Sequence, residues 1–290
     1  MVHLHSSKAG LVGRLVVRRR VPTIFQPHAW SFLAVGAKQA RGIALVERFL
    51  DRWTSVLICG SDDERQVGRR AGIRTDARVI RNSVDTDRFP ARDDAERRAS
   101  REALGLSMVP TAVCVGRLCE QKGQDVLLAA WPAVLAVVPS AMLVLVGDGP
   151  LAEEFSARAV PRVVFAGWRD DVAPWLAAAD VVVQPSRYET LSLATLEAMS
   201  TGRSVVVSDA GGTSEALDDL SGGVVPVEDA HSLAEQISLR LGDPARTRAE
   251  GESARRRVVA TFGRQAWASA MVAATEAAAS GIRLVDQDVT

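Results

Sequence analysis

The sequence has few cysteines, no excess of either charge and no long apolar run, and each absence excludes a class of protein. Its three cysteines, Cys59, Cys114 and Cys119, form no CxxC pair and no zinc-ligand spacing. They indicate a reduced, cytoplasmic protein without a disulfide framework. Lys plus Arg and Asp plus Glu both number 35, which excludes a general electrostatic attraction to nucleic acid.

The sequence also lacks membrane and export signals. No apolar run approaches the roughly 20 residues that a helix needs to cross a bilayer, and the N-terminus lacks the pattern of a secretory signal. Any contact with a membrane is therefore expected to be peripheral. What the sequence does have is 290 residues, of which 47% are hydrophobic. That length is enough for two domains of ordinary size, each with a buried core.

Six short apolar runs separated by helical patterns dominate the sequence from residue 111 onward. Strands that are apolar on both faces and separated by helices indicate a parallel sheet covered on both sides. The predicted strands are 111–115, 142–146, 163–165, 181–183, 205–207 and 224–225. This pattern predicts an α/β, Rossmann-like domain.

The N-terminal part shows the same alternation of strands and helices. Strands are predicted over 1–5, 21–25 and 52–59, with one helix capped by Ser6 or Ser7 and another that has capping-box spacing from Ser61. The charged stretch 86–107 is predicted to be a linker between domains. The Ala-rich segment 266–280 strongly favours a helix.

The first predicted helix has apolar residues at helical spacing and a group of arginines mostly on its other side. The apolar residues are Leu11, Val12, Leu15 and Val16, and the arginines are Arg14, Arg18, Arg19 and Arg20. The arginines could form a face attracted to anionic lipid. They could also be a solvated helix end whose cations suit the helix dipole, and this second interpretation is favoured.

The most informative stretch follows the apolar run 181–183. Its sequence, SRYETLSLATLEAM over 186–199, predicts a polar loop that carries Glu189 and then a helix that carries Glu197. Ligands of an open parallel sheet lie beyond the carboxyl ends of its strands, so both carboxylates are expected at a site. Glu197 could instead only complement the dipole at the start of its helix.

A second polar loop follows the first strand of the same domain. The segment 115–123, VGRLCEQKG, contains Gly116, Arg117 and Lys122. An arginine can clamp two oxygens of an anion in its fork, and a lysine acts as a point charge. Two cations near a turn are usually solvated, but the glutamates on a later loop of the same sheet favour a site.

These two loops resemble the donor site of bacterial, family-4 retaining glycosyltransferases of the GT-B fold. Segments 5–10 (HSSKAG) and 27–32 (PHAWSF) are similar to parts of that family's acceptor-side domain, and 79–85 (VIRNSVD) to one of its strand-end turns. The resemblance implies two Rossmann-like domains and a last helix that crosses back to the first. The implied divisions are 1–88 (a partial acceptor-side domain), 89–264 (the donor domain) and 265–290 (a closing helix and tail).

The resemblance implies transfer of a hexosyl group from a UDP- or GDP-linked sugar to an acceptor hydroxyl, with retained configuration and without a metal or other cofactor. The acceptor would be a saccharide, a lipid-linked sugar or a small molecule, in glycan, glycolipid or glycosylated-metabolite synthesis. No nucleic acid partner is implied. The expected location is the cytoplasm, with peripheral contact at the inner face of the plasma membrane compatible with a lipid-linked acceptor.

The resemblance also assigns roles to individual residues. Those placed near the donor phosphates are Gly116, Arg117, Lys122 and the backbone of Thr190, Leu191 and Ser192. Glu197 would accept hydrogen bonds from the ribose hydroxyls, and Glu189 would contact the transferred sugar. His28 would approach the reacting centre from the other domain.

The sequence departs from the family at several points. The family's first domain normally begins well upstream of the HSSKAG segment, so roughly half of that domain is expected to be absent. A catalytically impaired remnant that still binds nucleotide is therefore an alternative, and an epimerase or phosphorylase of the same fold is a third. In addition, Ala29, Ser83 and Thr190 stand where the family usually has glycine.

Four further features of the sequence are secondary to these loops. Segment 147–150, GDGP, is predicted to be a turn before a helix with its proline near the first helical position. Segment 211–215, GGTSE, is a secondary candidate near the donor phosphates. Asp180 is expected to be structural. Trp30 is singled out among the six tryptophans because it neighbours His28.

Overall fold

The computed structural model describes residues 1–158 and 160–280, and by its internal contacts the chain divides into two units. The first unit comprises Met1–Asn82 and Arg264–Thr290, and the second comprises Ser83–Gly263. The predicted domains 1–88, 89–264 and 265–290 differ from these bounds by a few residues and stay predictions. The predicted tail beyond residue 280 lies outside the described residues.

Among the described residues, the chain forms ten strands and eleven α-helices. The strands are β1 (Val2–His5), β2 (Thr23–Gln26), β3 (Val56–Cys59), β4 (Ala77–Val79), β5 (Thr111–Val115), β6 (Met142–Val146), β7 (Val163–Gly167), β8 (Val181–Gln184), β9 (Ser204–Ser208) and β10 (Gly222–Val225). The helices are α1 (Ser6–Val17), α2 (Ala37–Leu50), α3 (Asp62–Arg70), α4 (Asp94–Ala103), α5 (Gln124–Val137), α6 (Ala152–Ala157), α7 (Ala173–Ala178), α8 (Leu193–Ser200), α9 (Ala230–Gly242), α10 (Pro244–Thr261) and α11 (Arg264–Ser280). None of the described helices is both long and apolar enough to cross a bilayer.

The second unit contains a parallel sheet in the order β10-β9-β8-β5-β6-β7. All six strands predicted from residue 111 onward are present. Within β5, Val113 and Val115 face one hydrophobic core, whereas Ala112 and Cys114 face the other. Because successive side chains of a strand point to opposite faces, this division shows that both faces of the sheet are buried. Cys114 is therefore the small core residue that its position predicts.

The first unit contains a parallel sheet in the order β1-β2-β3-β4. One face, including Ile24 and Ile58, packs against Ala274 and Ala278 of α11. The last described helix thus belongs to the first unit although it follows the second in sequence, as the resemblance implied. The other face, which includes Phe25, forms a separate core with Trp30 and Leu57.

Several local predictions are wrong. No serine caps α1, because the helix begins at Ser6 after His5 and no side chain accepts a hydrogen bond there. The strand predicted over 52–59 begins only at Val56, after a 3-10 turn. The predicted linker 86–107 contains α4, which Asp93 and Glu96 cap reciprocally. The helix α2 is not among the predicted helices.

The two sides of α1 are reversed relative to the prediction. Arg14 is 1% exposed, pairs with Glu47 at 2.5 Å and lies 3.9 Å over the ring of Phe25. The predicted apolar side is instead exposed, with Val12 at 61% and Val16 at 65%. The favoured interpretation of the arginines as a solvated helix end is therefore wrong for Arg14.

The turn after β2 explains why the family prefers glycine at position 29. His28 and Ala29 have φ angles of 53° and 77°, in the left-handed region that side chains disfavour. Their turn is stabilised by Glu64, whose Oε1 accepts from the Ala29 amide at 2.6 Å. Trp30 is 1% exposed and donates from Nε1 to the Glu64 carbonyl at 2.8 Å. Trp30 is therefore a packing residue of the first unit's core, and not a cleft residue.

We predict that Ala29→Gly raises the free energy of unfolding by about 0.5–1 kcal/mol, because glycine adopts a left-handed conformation without strain. Urea unfolding followed by tryptophan fluorescence measures the change. Ala9→Gly is the matched control, since Ala9 is exposed within the regular helix α1 and its replacement should destabilise by a similar amount. Destabilisation by both substitutions would contradict the strain at position 29.

Candidate functional site

The two predicted loops leave the same edge of the second unit's sheet. The strands β5 and β8 are adjacent and parallel, with Ala112 opposite Val181 and Val113 opposite Val182. Their carboxyl ends therefore lie side by side, and the loops that follow them are neighbours. This is the position at which open parallel sheets bind ligands.

The structure brings Lys122 and Glu189 together as an ion pair. Lys122 Nζ donates to Glu189 Oε1, and Ser186 Oγ donates to the same oxygen at 3.0 Å. The side chains of Lys122 and Glu189 are 21% and 11% exposed. The sequence predicts both residues at the site but does not predict that they pair, or that Ser186 supports them. The pair holds a cation and a carboxylate in fixed positions at the strand edge.

Arg187 ties the loop of Glu189 to the rest of the unit. It donates from Nη1 and Nη2 to the two carboxylate oxygens of Asp125 at 2.9 and 2.7 Å, and from Nε to Glu228 at 2.8 Å. Nη1 also donates to the Glu120 carbonyl at 2.7 Å. The bidentate guanidinium holds the pKa of Asp125 below its usual value. The sequence analysis misses this residue, because its partners are distant in sequence and share no local pattern.

Two glycines allow the loops to approach each other. Gly123 has a φ of 65°, and a Cβ there would lie 2.0 Å from the Pro185 carbonyl oxygen. At Gly147, where φ is 141°, a Cβ would lie 2.1 Å from the Gly116 carbonyl oxygen. Segment 147–150 is thus a turn, as predicted, and it packs against the loop that carries Arg117 and Lys122. Its proline lies before the α6 cap residue, and not in the helix as predicted.

Arg117 presents an unpaired cation on the same loop as Lys122. The residue is exposed, and within the described part of the chain its guanidinium forms no ion pair. Its carbonyl oxygen accepts from Gln124 Nε2 at 3.0 Å, which fixes the loop backbone. The guanidinium is therefore free to bind an anion while its backbone is held.

Glu197 is the second carboxylate that the sequence predicts at the site, and its assignment stays a prediction. It is the fifth residue of α8, and the first turn of that helix contains no acidic residue, so the interpretation as a dipole partner is wrong. Burial raises the pKa of Glu197 to about 7, and the charge of Arg88 opposes this shift in part. A ligand that donates hydrogen bonds to such a carboxyl group would stabilise its ionised form.

The segment 211–215 lies against the loop of Glu189. It forms part of a 3-10 helix after β9, and Thr213 Oγ1 accepts from the Ser192 amide at 3.3 Å. Ser192 also caps α8, since its Oγ accepts from the Thr195 amide. The Ser192 amide is therefore engaged within the protein and does not face an open site, contrary to expectation. The assignments of the Thr190 and Leu191 backbone stay predictions.

His28 lies in the first unit, within a small group of histidines. Its Nε2 is 2.8 Å from His5 Nδ1, and its ring stacks on that of His5 with centroids 5.1 Å apart, while the rings of His3 and His5 are tilted with centroids 4.0 Å apart. Burial lowers the pKa of His28, and a charge on His5 would lower it further. The sequence predicts His28 but not its partner. Across the described residues, no group of three or more His, Cys, Asp or Glu side chains is arranged to hold a metal ion.

Two family models match the chain. The model described as "Glycosyltransferase Family 4" matches residues 1–88, and the one described as "Glycosyl transferases group 1" matches residues 109–243. The first match covers the sheet of the first unit, and the second covers both loops of the candidate site.

The chain is also similar to individual enzymes. It is 29% identical over 280 residues to the UDP-Gal:alpha-D-GlcNAc-diphosphoundecaprenol alpha-1,3-galactosyltransferase of Escherichia coli, covering 90% of this chain and 71% of that protein. It is 32% identical over 266 residues to a GDP-mannose-dependent alpha-(1-6)-phosphatidylinositol monomannoside mannosyltransferase of Mycolicibacterium smegmatis, covering 85% and 67%. The solved sucrose-phosphate synthase of Thermosynechococcus elongatus matches with a TM-score of 0.81 and 28% identity, over 94% of this chain and 72% of that one. The chain therefore belongs to the family-4, group 1 glycosyltransferases, and is a GT-B enzyme that uses nucleotide sugars.

Proposed function

We propose that the chain transfers a hexosyl group from a UDP- or GDP-linked sugar to an acceptor hydroxyl, with retention of configuration and without a bound metal. The observation that carries this proposal is the Lys122–Glu189 ion pair at the edge where β5 and β8 end, with the exposed Arg117 on the loop of Lys122. The named donors of two relatives, UDP-Gal and GDP-mannose, support the class of donor. A carboxylate for the sugar and cations for the diphosphate then lie on adjacent loops.

The cations act on the leaving group. As the bond between sugar and phosphate breaks, negative charge grows on the departing diphosphate, and fixed positive groups stabilise it. Arg117 forms no internal ion pair, so its fork can take two phosphate oxygens without losing a contact. Lys122 is already held by Glu189, and it would share its ammonium protons between that carboxylate and a phosphate oxygen.

The carboxylates act on the donor's two sugars. Glu189 keeps one oxygen engaged with Lys122 and Ser186, so its other oxygen can accept from a hydroxyl of the transferred hexose. Glu197 lies about one turn after the cap of α8, and the residue is partly buried. We assign it to the ribose hydroxyls, which would stabilise its ionised form.

His28, a residue of the first unit, is proposed to form a hydrogen bond with a hydroxyl of a bound sugar. Its lowered pKa favours the neutral imidazole, which can accept a hydrogen bond from a hydroxyl. Nε2 of His28 already contacts Nδ1 of His5, so Nδ1 of His28 remains for this contact. The enzyme is proposed to work in the cytoplasm.

We predict transfer from UDP-galactose or GDP-mannose to a polyprenyl diphosphate or phosphatidylinositol saccharide, with an α-linked product from the α-linked donor. Arg117→Ala should reduce the rate about 100-fold or more, because it removes transition-state charge stabilisation. Product NMR gives the configuration, and activity should persist in EDTA.

Arg158→Ala is the control for this assay, since Arg158 is exposed at the end of α6 and, among the described residues, pairs only with the exposed Glu154. An undiminished rate in Arg117→Ala would remove Arg117 from the site. Nucleotide binding without any transfer would favour the impaired remnant. Sugar modification or phosphorolysis without an acceptor would favour an epimerase or a phosphorylase.

We predict that the affinity for UDP or GDP increases up to about tenfold between pH 6 and pH 8 through Glu197. Below its pKa of about 7 the carboxyl is mostly neutral, and above it the ionised form accepts from both ribose hydroxyls. Calorimetry at each pH measures the change. Glu197→Gln keeps the shape of the side chain but cannot titrate. The pH dependence of its affinity therefore reports only the titration of the nucleotide's own phosphates. Identical pH profiles for both proteins would contradict the assignment.

A surface of the first unit supports peripheral contact with an anionic membrane. Exposed apolar side chains of α1 and α2 flank a groove of about 540 Å³ between the two helices. These side chains are Leu11, Val12, Leu15, Val16, Leu45, Val46 and Phe49, each at least 38% exposed. We call them the α1–α2 apolar surface. On α1 it comprises the apolar residues that recur at helical spacing in the sequence.

The charges around the α1–α2 apolar surface are of one sign. The first acidic residue of the chain is Glu47, and its carboxylate is buried against Arg14. Arg19 donates to the Arg52 carbonyl at 3.2 Å, and the Arg52 guanidinium lies 3.9 Å over the Phe49 ring. Arginines thus flank the apolar side chains at the ends of both helices. Apolar area with cations at its rim matches the headgroup region of an anionic bilayer.

We predict that the chain cosediments with phosphatidylglycerol vesicles and releases them at high salt, whereas it binds phosphatidylcholine vesicles weakly. Val12→Ser with Val16→Ser should weaken binding several-fold by removing apolar contact, and Arg18→Gln with Arg20→Gln should do so by removing charge. Arg162→Gln, in the second unit, is the control. Equal binding to both lipids, or variants that bind like the parent protein, would contradict the proposal.

A further inference from the structure

A cavity of about 820 Å³ lies in the second unit, apart from the two loops of the candidate site. Its walls are the start of α4, the turn between α8 and β9, and the middle of α10. Neither Arg117, Lys122, Glu189 nor Glu197 lines it. The lining contains seven arginines and five carboxylates, so its charge is positive. We call it the arginine cavity.

Arg203 provides a buried cation in the arginine cavity that forms no ion pair with any carboxylate in the described part of the chain. The residue is 4% exposed, and in the described part of the chain the only hydrogen bond of its side chain runs from Nη2 to the Arg92 carbonyl at 2.8 Å. Its Nε is buried without a partner. Burial lowers the pKa of Arg203 to about 10, and the charge of Arg97 acts in the same direction, whereas the charges of Asp180 and Asp94 oppose the shift in part. A buried cation in this state is costly, and an anion in the cavity would stabilise it.

Arg255 is a second cation whose partners are all neutral. Its Nη1 donates to the carbonyl oxygens of Phe89 at 3.0 Å and Ser200 at 2.7 Å, and to Ser200 Oγ at 2.6 Å. At the rim, Arg98 and Arg256 are exposed and have no carboxylate partner among the described residues. The excess positive charge of the cavity is therefore carried by side chains that do not pair with its acids.

Most carboxylates of the cavity are already engaged. Asp94 pairs with Arg97 at 3.0 Å and with Arg248 at 2.5 Å. Asp180 pairs with Arg101 at 2.7 Å. Asp93 accepts from the Glu96 amide as the cap of α4, and Glu96 pairs with Arg92. Except for Asp93, these acids pair with other arginines, and among the described residues none of them forms an ion pair with Arg203 or Arg255.

We propose that the arginine cavity is a second anion site, separate from the donor pocket, which binds a small phosphate-bearing molecule. Guanidinium forks match the geometry of phosphate oxygens, and several of them favour a diphosphate or phosphoester over a single carboxylate. The volume is within the range of small-molecule sites and accommodates a sugar phosphate or a mononucleotide. Free diphosphate, sugar phosphate and nucleotide share this chemistry, and the experiment separates them.

The test uses the full chain carrying Arg117→Ala and Lys122→Ala, which removes the proposed phosphate contacts of the donor pocket. We expect calorimetry to show saturable binding of inorganic pyrophosphate to this protein at low salt. Adding Arg203→Gln should weaken that binding about tenfold or more, the effect of losing a hydrogen-bonded charge pair. Arg246→Gln is the matched control, because Arg246 lies on α10 but does not line the cavity, and it should leave the affinity unchanged.

A second variant covers the case in which Arg203→Gln does not fold. Arg98→Gln with Arg256→Gln changes only exposed side chains and should weaken pyrophosphate binding about three- to tenfold. Competition by glucose 1-phosphate, AMP and UDP then ranks the sources of the phosphate. Absence of saturable binding, or binding that none of the cavity substitutions weakens, would overturn the proposal. Either result is independent of whether the donor pocket binds a nucleotide sugar.

Discussion

The parallel pairing of β5 with β8 is the constraint on which the candidate site depends. It places the loops after two strands that are distant in sequence side by side, and the Lys122–Glu189 ion pair and the Arg187 fork then fix their relative positions. The glycines at 123 and 147 allow the backbones to come close enough for these contacts. The chemistry therefore rests on a rigid sheet edge, which suits a reaction in which fixed charges must meet a developing anion.

Arginine has two different roles in this chain, and the difference is informative. Buried arginines such as Arg14 and Arg240 are compensated by the carboxylates of Glu47 and Glu250 and act as internal ties. Arg117 and Arg203 have no such partner in the described part of the chain. A cation that the fold leaves uncompensated, whether exposed or buried, is a physical reason to expect an external anion, and both the donor assignment and the arginine cavity follow from it.

The sequence was most predictive where burial imposes one pattern. The strands of the second unit are apolar on both faces, so their positions could be read directly, and the polar loops after them stood out. Long-range contacts could not be predicted: the partners of Arg187 are 41 and 62 positions away. The sides of α1 were reversed because Gly10 lets Phe25 pack against the helix beside the Arg14–Glu47 pair. The charged composition of 86–107 concealed α4, whose helix is stabilised by its capping box and by Arg101 contacting Asp180.

The crystal structure of the chain with a bound nucleoside diphosphate tests the central claim most directly. The account predicts that the diphosphate contacts Arg117 and Lys122, that the ribose hydroxyls donate to Glu197, and that Glu189 remains within reach of the sugar-binding position. The Lys122 ammonium would then bridge Glu189 and a phosphate oxygen. A nucleotide bound away from the β5–β8 edge, or bound there without contacting these residues, would contradict it.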